Sequence, residues 1–266
     1  MAEQWRWDAR PGGVGLWRVG PLEACGVGAA FSCRLGGVSP APWDSLNLGA
    51  AVGDEPERVR ENRLRLARAA GFAPEGVARA HQVHGTAVVE VARGGDAGTA
   101  DALITDIPGV TLAIGVADCA AIFLSDPRRQ ALGLCHAGWR GTVGDVVGAT
   151  VAAMARRYGS RPDELHAAIS PTIGPCCYEV DEPVIAPLSA GVPWGPAVLA
   201  TTRPGHARLD LWEANRRRLL DAGLRAERIH VAGICTACHP ETLFSHRRDA
   251  GRTGRMQASL WLTVSA

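Results

Sequence analysis

The 266-residue sequence predicts an α+β fold, a single domain spanning 1–266 and built on mixed β-sheets. Three observations carry that expectation. Short apolar or β-branched runs outnumber helical patterns, and several of those runs follow one another with no helix between them. A composition of 47% hydrophobic and 21% charged residues is enough for one substantial core. Regular strand–helix alternation would indicate a doubly wound parallel sheet, whereas consecutive strands indicate mixed layers. No internal repeat or low-complexity linker divides the chain.

Taken in order, Val27 to Phe31 is the first strand-like run, followed by the loop Leu35-Gly-Gly-Val-Ser-Pro-Ala-Pro42. A helix is expected from Asp54-Glu-Pro-Glu57, a capping-box pattern with an early proline. Val59, Leu64, Leu66 and Ala70 then recur on one side, and Gly71 supplies the stop. Strands are expected at Ala87 to Val91, Val110 to Val116, Ala120 to Leu124 and Ala131 to Cys135. Thr142 to Tyr158 reads as a more apolar helix ended by Gly159. Leu165 to Ile169 is the next strand, and Ile173-Gly-Pro-Cys-Cys177 the next loop. Asp210 and Glu213 repeat the helix-start signal before Leu219, Leu220 and a stop at Gly223, and strands at Ile229 to Ile234 and Ala258 to Val264 close the list.

The 28 basic and 27 acidic residues leave a net charge of +1, without long runs of either sign. That balance argues against nucleic-acid or anionic-membrane partners and for a small-molecule substrate. All basic residues are arginine, which excludes lysine Schiff-base chemistry and Walker-type phosphate loops. Anions must therefore be held by arginine or backbone amides. The stretch Met1-Ala-Glu-Gln-Trp-Arg-Trp-Asp8 lacks an apolar signal core and no run is long enough to span a bilayer, so a cytoplasmic protein is expected. In that reducing setting the eight cysteines are thiols, ligands or reactive groups rather than a disulfide framework.

Chemistry concentrates in His81-Gln-Val-His84-Gly85, Ala117-Asp118-Cys119 and His136-Ala-Gly-Trp-Arg-Gly141. Cys119 and His136 flank two short apolar runs joined by Ser125-Asp-Pro-Arg-Arg129. Paired as a hairpin, those runs bring both residues to one end. One thiolate and two imidazoles suit zinc, and three protein ligands leave a tetrahedral ion one open position, the mark of a catalytic site. Taken singly, each residue reads better as an ordinary loop histidine or a buried small hydrophobe. Both His81 and His84 precede an expected strand, and spacing does not choose between them. Cys176-Cys177 and Cys235-Thr-Ala-Cys238 are weak metal signals, because a lone Cys-x-x-Cys lacks its second pair; reduced structural thiols near the pocket are expected there.

Ala30-Phe-Ser-Cys-Arg-Leu-Gly-Gly-Val-Ser39, Ser45-Leu-Asn-Leu-Gly49, Gln82-Val-His-Gly85, Ala117-Asp-Cys119, His136-Ala-Gly-Trp-Arg-Gly141, Ile173-Gly-Pro-Cys-Cys-Tyr-Glu-Val180 and His246-Arg-Arg-Asp249 to Thr253-Gly-Arg-Met256 together resemble the laccase-domain, or polyphenol-oxidase-like, family. The motifs span nearly the whole chain in the expected order. The resemblance implies a layered α/β/β/α fold, selects His84 over His81, and completes the metal site with Cys119 and His136. It further implies a purine nucleoside phosphorylase with adenosine deaminase and methylthioadenosine phosphorylase activity, or a peptidoglycan editing factor. Two departures stand out. Cys33 occupies a position where threonine is commoner, and Ser170 a position where glycine is usual and positive φ is easier.

Multicopper oxidation of phenols is not expected from eight histidines with no His-x-His pair, although copper could displace zinc in vitro and lend apparent oxidase activity. Zinc supports two reactions on a purine nucleoside. In deamination an activated water, its pKa lowered to about 7 by the ion, attacks the carbon bearing the amine, with Asp118 as the only acid adjoining a ligand. In phosphorolysis, arginines hold phosphate beside the ribose while the base departs. Arg34, in its glycine-rich loop, is the favoured catalytic arginine, Arg140, Arg247 and Arg248 are further anion contacts, and Asn47 and His246 are substrate contacts. The leading expectation is thus conversion of inosine, adenosine, guanosine or methylthioadenosine plus phosphate to free base and ribose 1-phosphate. A cysteine hydrolase acting on peptidoglycan precursors through Cys119 is the alternative.

Overall fold

The computed structural model describes residues 4–9 and 11–263. Met1 to Glu3 of the N-terminal stretch and Val264 of the last expected strand lie outside the described residues. The strands are β1 (Trp5–Ala9), β2 (Gly15–Val19), β3 (Val27–Ser32), β4 (Val77–His81), β5 (Val88–Glu90), β6 (Gly95–Thr99), β7 (Ala102–Thr105) and β8 (Thr111–Val116). They continue with β9 (Ala120–Asp126), β10 (Ala131–Ala137), β11 (His166–Ile169), β12 (Glu179–Asp181), β13 (Leu199–Arg203), β14 (His206–Leu209), β15 (Ile229–Val231) and β16 (Met256–Leu262). The helices are α1 (Gly20–Glu23), α2 (Pro56–Ala70), α3 (Trp139–Gly144), α4 (Val146–Tyr158), α5 (Glu182–Gly191) and α6 (Leu211–Asp221).

Two mixed sheets stack face to face. The first has the order β1-β2-β3-β16-β8-β4-β6, and the second β15-β11-β9-β10-β7-β5. A small antiparallel sheet, β12-β14-β13, stands apart. Residue parity assigns the layers, because alternate side chains of a strand face opposite ways. Leu112, Ile114 and Val116 of β8 meet Ala121 and Phe123 of β9 and Leu132 and Leu134 of β10 in the core between the sheets. The opposite parity of the second sheet, Ile122, Leu124 and Cys135, packs on Val147, Val151 and Met154 of α4 and on Leu219 of α6. On the far side of the first sheet, Leu66, Ala67 and Ala70 of α2 cover Leu16, Ala30 and Ala113. Four layers result: α2, sheet, sheet, then α4 with α6, which is the α/β/β/α arrangement.

Most expected elements are present within a few residues, with three local differences. The α2 start is not a capping box: Glu55 is the N-cap and offers no side-chain cap, while Asp54 accepts hydrogen bonds from the Glu55 backbone, Ser39 and Asn47. The 142–158 helix is broken at Asp145, which adopts φ 65° and caps α4 by accepting from the Gly148 amide. Asp145 stabilises its own left-handed backbone that way, as short polar side chains can. The third difference concerns Ser170, which keeps an ordinary backbone and whose hydroxyl accepts the Ala121 amide at 3.0 Å. Serine is therefore tied into β9 at a position where only hydrogen bonding, not positive φ, is required.

Candidate metal centre and its cavity

The hairpin of β9 and β10 is antiparallel, with His136 opposite Ala121 and Ala137 opposite Ala120. His136 shares parity with Leu132 and Leu134, so it points into the gap between the sheets, at the end of that core. Cys119, two residues before Ala121, falls on the same face. His84 comes from the other sheet, on the loop following β4. That loop is clamped twice: the Gln82 amide exchanges both of its hydrogen bonds with the Gly115 backbone of β8, at 2.9 Å each. The buried Asp101 carboxylate then accepts the amides of Val83, His84 and Gly85 at 3.1, 3.0 and 2.7 Å. His84 itself has φ 60°, a left-handed conformation that these bonds hold in place.

The donor atoms of His84, Cys119 and His136 lie within 4.8 Å of one another. The two imidazoles meet edge to face with centroids 4.7 Å apart. Asp101 also contacts His136 Nδ1 at 2.8 Å, which leaves Nε2 to face the cluster. A carboxylate behind a ligating histidine fixes its tautomer and raises its basicity. A Cβ on Gly138 would come within 2.7 Å of the Cys119 sulfur and 3.5 Å of His84, so the glycine of His-Ala-Gly-Trp-Arg-Gly keeps this space open. Donor types, convergence and cleared space together fit one tetrahedral ion.

Electrostatics agree with a preformed anionic ligand. Burial pushes the Cys119 thiol up, but the positive charge and hydrogen bond of His136, with the hydrogen bond of His84, overcome it and bring the group to about 6. At His136 burial opposes protonation, and the Cys119 charge and Asp101 overcome it, raising the group to about 9. Burial likewise opposes ionisation of Asp101, yet His136 and the Gly85 and Val83 amides hold its carboxyl below the usual carboxylate range. Both shifts run in the direction that favours a thiolate beside an imidazolium.

These ligands open onto a cavity of about 860 Å³. His246, Arg247 and Asp118 of the expected set line it; Arg34, Asn47, Arg140 and Arg248 do not. Arg34 is spent on structure, donating to the Asp44 carbonyl and carboxylate and to the Pro240 carbonyl, with its guanidinium over the Phe244 ring. Asn47 is fully buried, and its amide bonds Gly49, Asp54 and the Arg255 amide, which fixes the 48–52 segment of the wall. Asp118 has φ 86° and accepts from Thr236 Oγ1 and the Arg247 amide at 2.6 Å each. Arg247 donates to the Glu179 carbonyl and stacks on Tyr178. His81 lines the cavity from the end of β4 but is not part of the ligand group.

Three cavity arginines escape the sequence reading: Arg63 on α2, Arg79 on β4 and Arg255 beside β16. Their partners are neutral. Arg63 donates to the Leu48 carbonyl, Arg79 to Gln257 Oε1, and Arg255 to the Thr253 and Gly254 carbonyls. Burial, then the charge of Arg63, draws Arg79 down to about 9, and burial lowers Arg63 and Arg255 as well. Asp101 was missed too. A single aspartate or arginine among apolar neighbours carries no local signal of a partner 35 or 178 residues away.

A second sulfur group lies outside this cavity. The four Sγ atoms of Cys176, Cys177, Cys235 and Cys238 also lie within 4.8 Å of one another.

Residues 28–263 match the family model described as multi-copper polyphenol oxidoreductase laccase. A protein of Geobacillus stearothermophilus named purine nucleoside phosphorylase YlmD is 41% identical over 92% of this chain and 93% of its own length. One from Deinococcus radiodurans, named purine nucleoside phosphorylase, is 45% identical over 88% of each chain. The crystal structure of YlmD from Geobacillus stearothermophilus superposes with a TM-score of 0.93 at 39% identity, covering 98% of this chain and all of that one. That of a Bacillus licheniformis protein called YfiH gives 0.91 at 34% identity, covering 97% and 98%.

Proposed function

Since the chain belongs to the multi-copper polyphenol oxidoreductase laccase family, we propose that it is a purine nucleoside phosphorylase whose catalytic zinc ion is held by His84, Cys119 and His136. Its substrates are inosine, adenosine, guanosine and methylthioadenosine, each cleaved by phosphate to free base and ribose 1-phosphate. The names of its relatives support the reaction class. The observation that carries it is the set of half-buried arginines Arg63, Arg79 and Arg255, which have no carboxylate partner among the described residues and line the cavity onto which the metal ligands open. Partly desolvated positive charge without an anionic partner is costly, and a dianionic phosphate relieves that cost.

In this reading phosphate sits at the arginine pole and its oxygen attacks C1′ of the ribose as the glycosidic bond breaks. Held by His84, Cys119 and His136, a zinc ion would supply Lewis-acid stabilisation of developing negative charge. His246 and Arg247 contact the nucleoside from the cavity wall. Arg34 and Asn47 act as positioning residues, since their polar groups are already used in the loops they hold. Adenosine deaminase activity belongs to the same proposal and rests on Asp118 for proton transfer. Asp118 must then act while holding Thr236 and the Arg247 amide.

Phosphate-dependent release of hypoxanthine from inosine by zinc-loaded protein is the direct test. Loss of that release in Cys119→Ala, with Arg79→Gln raising KM for phosphate, is the expected result; equal turnover in Cys119→Ala overturns the assignment. Ammonia release from adenosine, lost in Asp118→Asn, checks the deaminase component.

One observation favours a second reading. A thiol brought to about 6 beside a histidine is also how a nucleophilic cysteine is prepared, so the metal-free pair suits a hydrolase acting on peptidoglycan precursors. Metal content separates the two, because a cysteine bound to a stoichiometric ion has no free thiolate to attack an acyl group. Multicopper oxidation is the least favoured reading: among the described residues the metal-binding histidine group is one mononuclear set. Copper in that set accounts for any oxidase activity seen in vitro.

A further inference from the structure

Beyond the cavity, Cys176 and Cys177 sit on the loop that follows β11, and Cys235 and Cys238 flank a short turn after β15. Their sequence separation hides the pairing, which exists only because β11 and β15 run parallel and Thr172 bridges Cys235 where they end. The Cys238 sulfur is 3.5 Å from that of Cys176 and 3.4 Å from that of Cys177. Four thiolates at about 2.3 Å from a tetrahedral ion stand about 3.8 Å from one another, close to the spacing found here. The group is too tight to enclose a multi-iron cage, whose cysteines must lie outside several metal and sulfide atoms.

The surroundings are built for sulfur. The Gly174 amide donates to the Cys235 sulfur at 3.2 Å. A Cβ on Gly174 would meet the Cys176 sulfur at 3.3 Å and the Trp212 ring at 2.6 Å, so the loop needs glycine to bring sulfur and amide together. Arg208 reaches the Pro175 carbonyl and places a cation beside a centre that is net negative when filled. None of the four cysteines lines the cavity.

We propose that Cys176, Cys177, Cys235 and Cys238 form a closed tetrathiolate site for one structural zinc ion, separate from the His84–Cys119–His136 centre. Four protein ligands leave no open position, so this ion takes no substrate. Its effect is to join two loops that shape the cavity. One carries Ile173 and Tyr178 in the cavity wall; the other carries Thr236, whose hydroxyl holds Asp118 next to Cys119. Each thiol releases its proton to solvent on binding, and no redox change is involved.

The test is zinc stoichiometry of the full-length protein prepared in reductant, measured with Cys119→Ser and Cys176→Ser/Cys238→Ser variants. Two equivalents per chain are expected in the unmodified protein and one in each variant. Because Cys176 and Cys238 are exposed, the double substitution is placed where folding tolerates it, and circular dichroism verifies this. A second measurement does not depend on that variant. In Cys119→Ser, cobalt added to stripped protein gives the intense visible bands of a tetrahedral thiolate site, and the four thiols resist iodoacetamide until chelator is added. The proposal is overturned if Cys119→Ser retains no metal and its four thiols alkylate freely, or if mass spectrometry of the reduced preparation finds them paired as disulfides. Neither outcome bears on the phosphorylase assay, so the two proposals fail separately.

Discussion

Gly138 shows how a motif residue with no reactive group determines the chemistry. Its backbone has φ −75°, which alanine adopts freely, so Gly138→Ala changes only the space beside Cys119 and His84. The variant is expected to fold and to lose zinc from the three-ligand site, read by metal analysis and circular dichroism; retention of a full complement contradicts the convergence described here. Asp101→Asn removes the charge behind His136 and sets an amide nitrogen against N–H groups that the carboxylate accepts, and should weaken zinc affinity about 10- to 100-fold or more in a competition titration. Cys119 itself ionises at a lower pH than an isolated thiol. Its folded value of about 6 means thiolate is present above that pH and is lost as pH falls through it. Alkylation of Cys119 in stripped protein, followed by mass spectrometry, should therefore show its inflection near 6, and His136→Gln should move the inflection up toward ordinary thiols. An unmoved inflection removes the charge argument.

Elements succeed or fail as predictions according to whether their signals are local. The α2 stop at Gly71, φ 87°, and the Asp210 cap of α6, which accepts the Glu213 amide at 2.9 Å, involve residues only a few positions apart and were legible directly. Replacing Asp210 with alanine should cost about 1 kcal/mol, seen as a lowered urea midpoint with an unchanged slope. The β1, β2, β4, β6, β7, β12, β13 and β14 strands have no counterpart among the expected runs. Gly95–Thr99 and Leu199–Arg203 are largely exposed and carry no apolar alternation, and they become strands because a neighbouring edge supplies their hydrogen bonds. The break at Asp145 is an exception: Gly144 and Asp145 are poor helix formers and the bond to the Gly148 amide is only three residues away, a local signal masked by the apolar run around it.

On the scale of the molecule, the three ligands join two sheets. His84 hangs from the first, His136 ends a strand of the second, and Cys119 lies on the connection from β8 to β9 that passes between them. An ion there ties the open end of the sandwich, so zinc should stabilise as well as equip it. At free zinc about 100 times the dissociation constant, stability rises by about 2.7 kcal/mol per site. Scanning calorimetry of stripped protein with and without zinc should show the melting temperature rise, and Cys119→Ser should show a smaller rise. Equal shifts in both proteins would mean that the His84–Cys119–His136 centre contributes nothing to folding.

The sequence by itself determined the α+β class and the main hairpin, which depend on neighbours along the chain: parity within a strand, a cap three residues away, a turn of known length. Its ordered motifs, through resemblance, also singled out His84, Cys119 and His136 as the candidate metal ligands. Tertiary structure alone decided what surrounds the ligands. Asp101 behind His136, Arg79 and Arg255 facing the cavity, the withdrawal of Arg34 and Asn47 into loop scaffolding, and the meeting of four cysteines all follow from the stacking and pairing of distant strands. The physical reason is that contact energies act through space. A charge or sulfur acquires its role from what packs against it, and the sequence does not encode that locally.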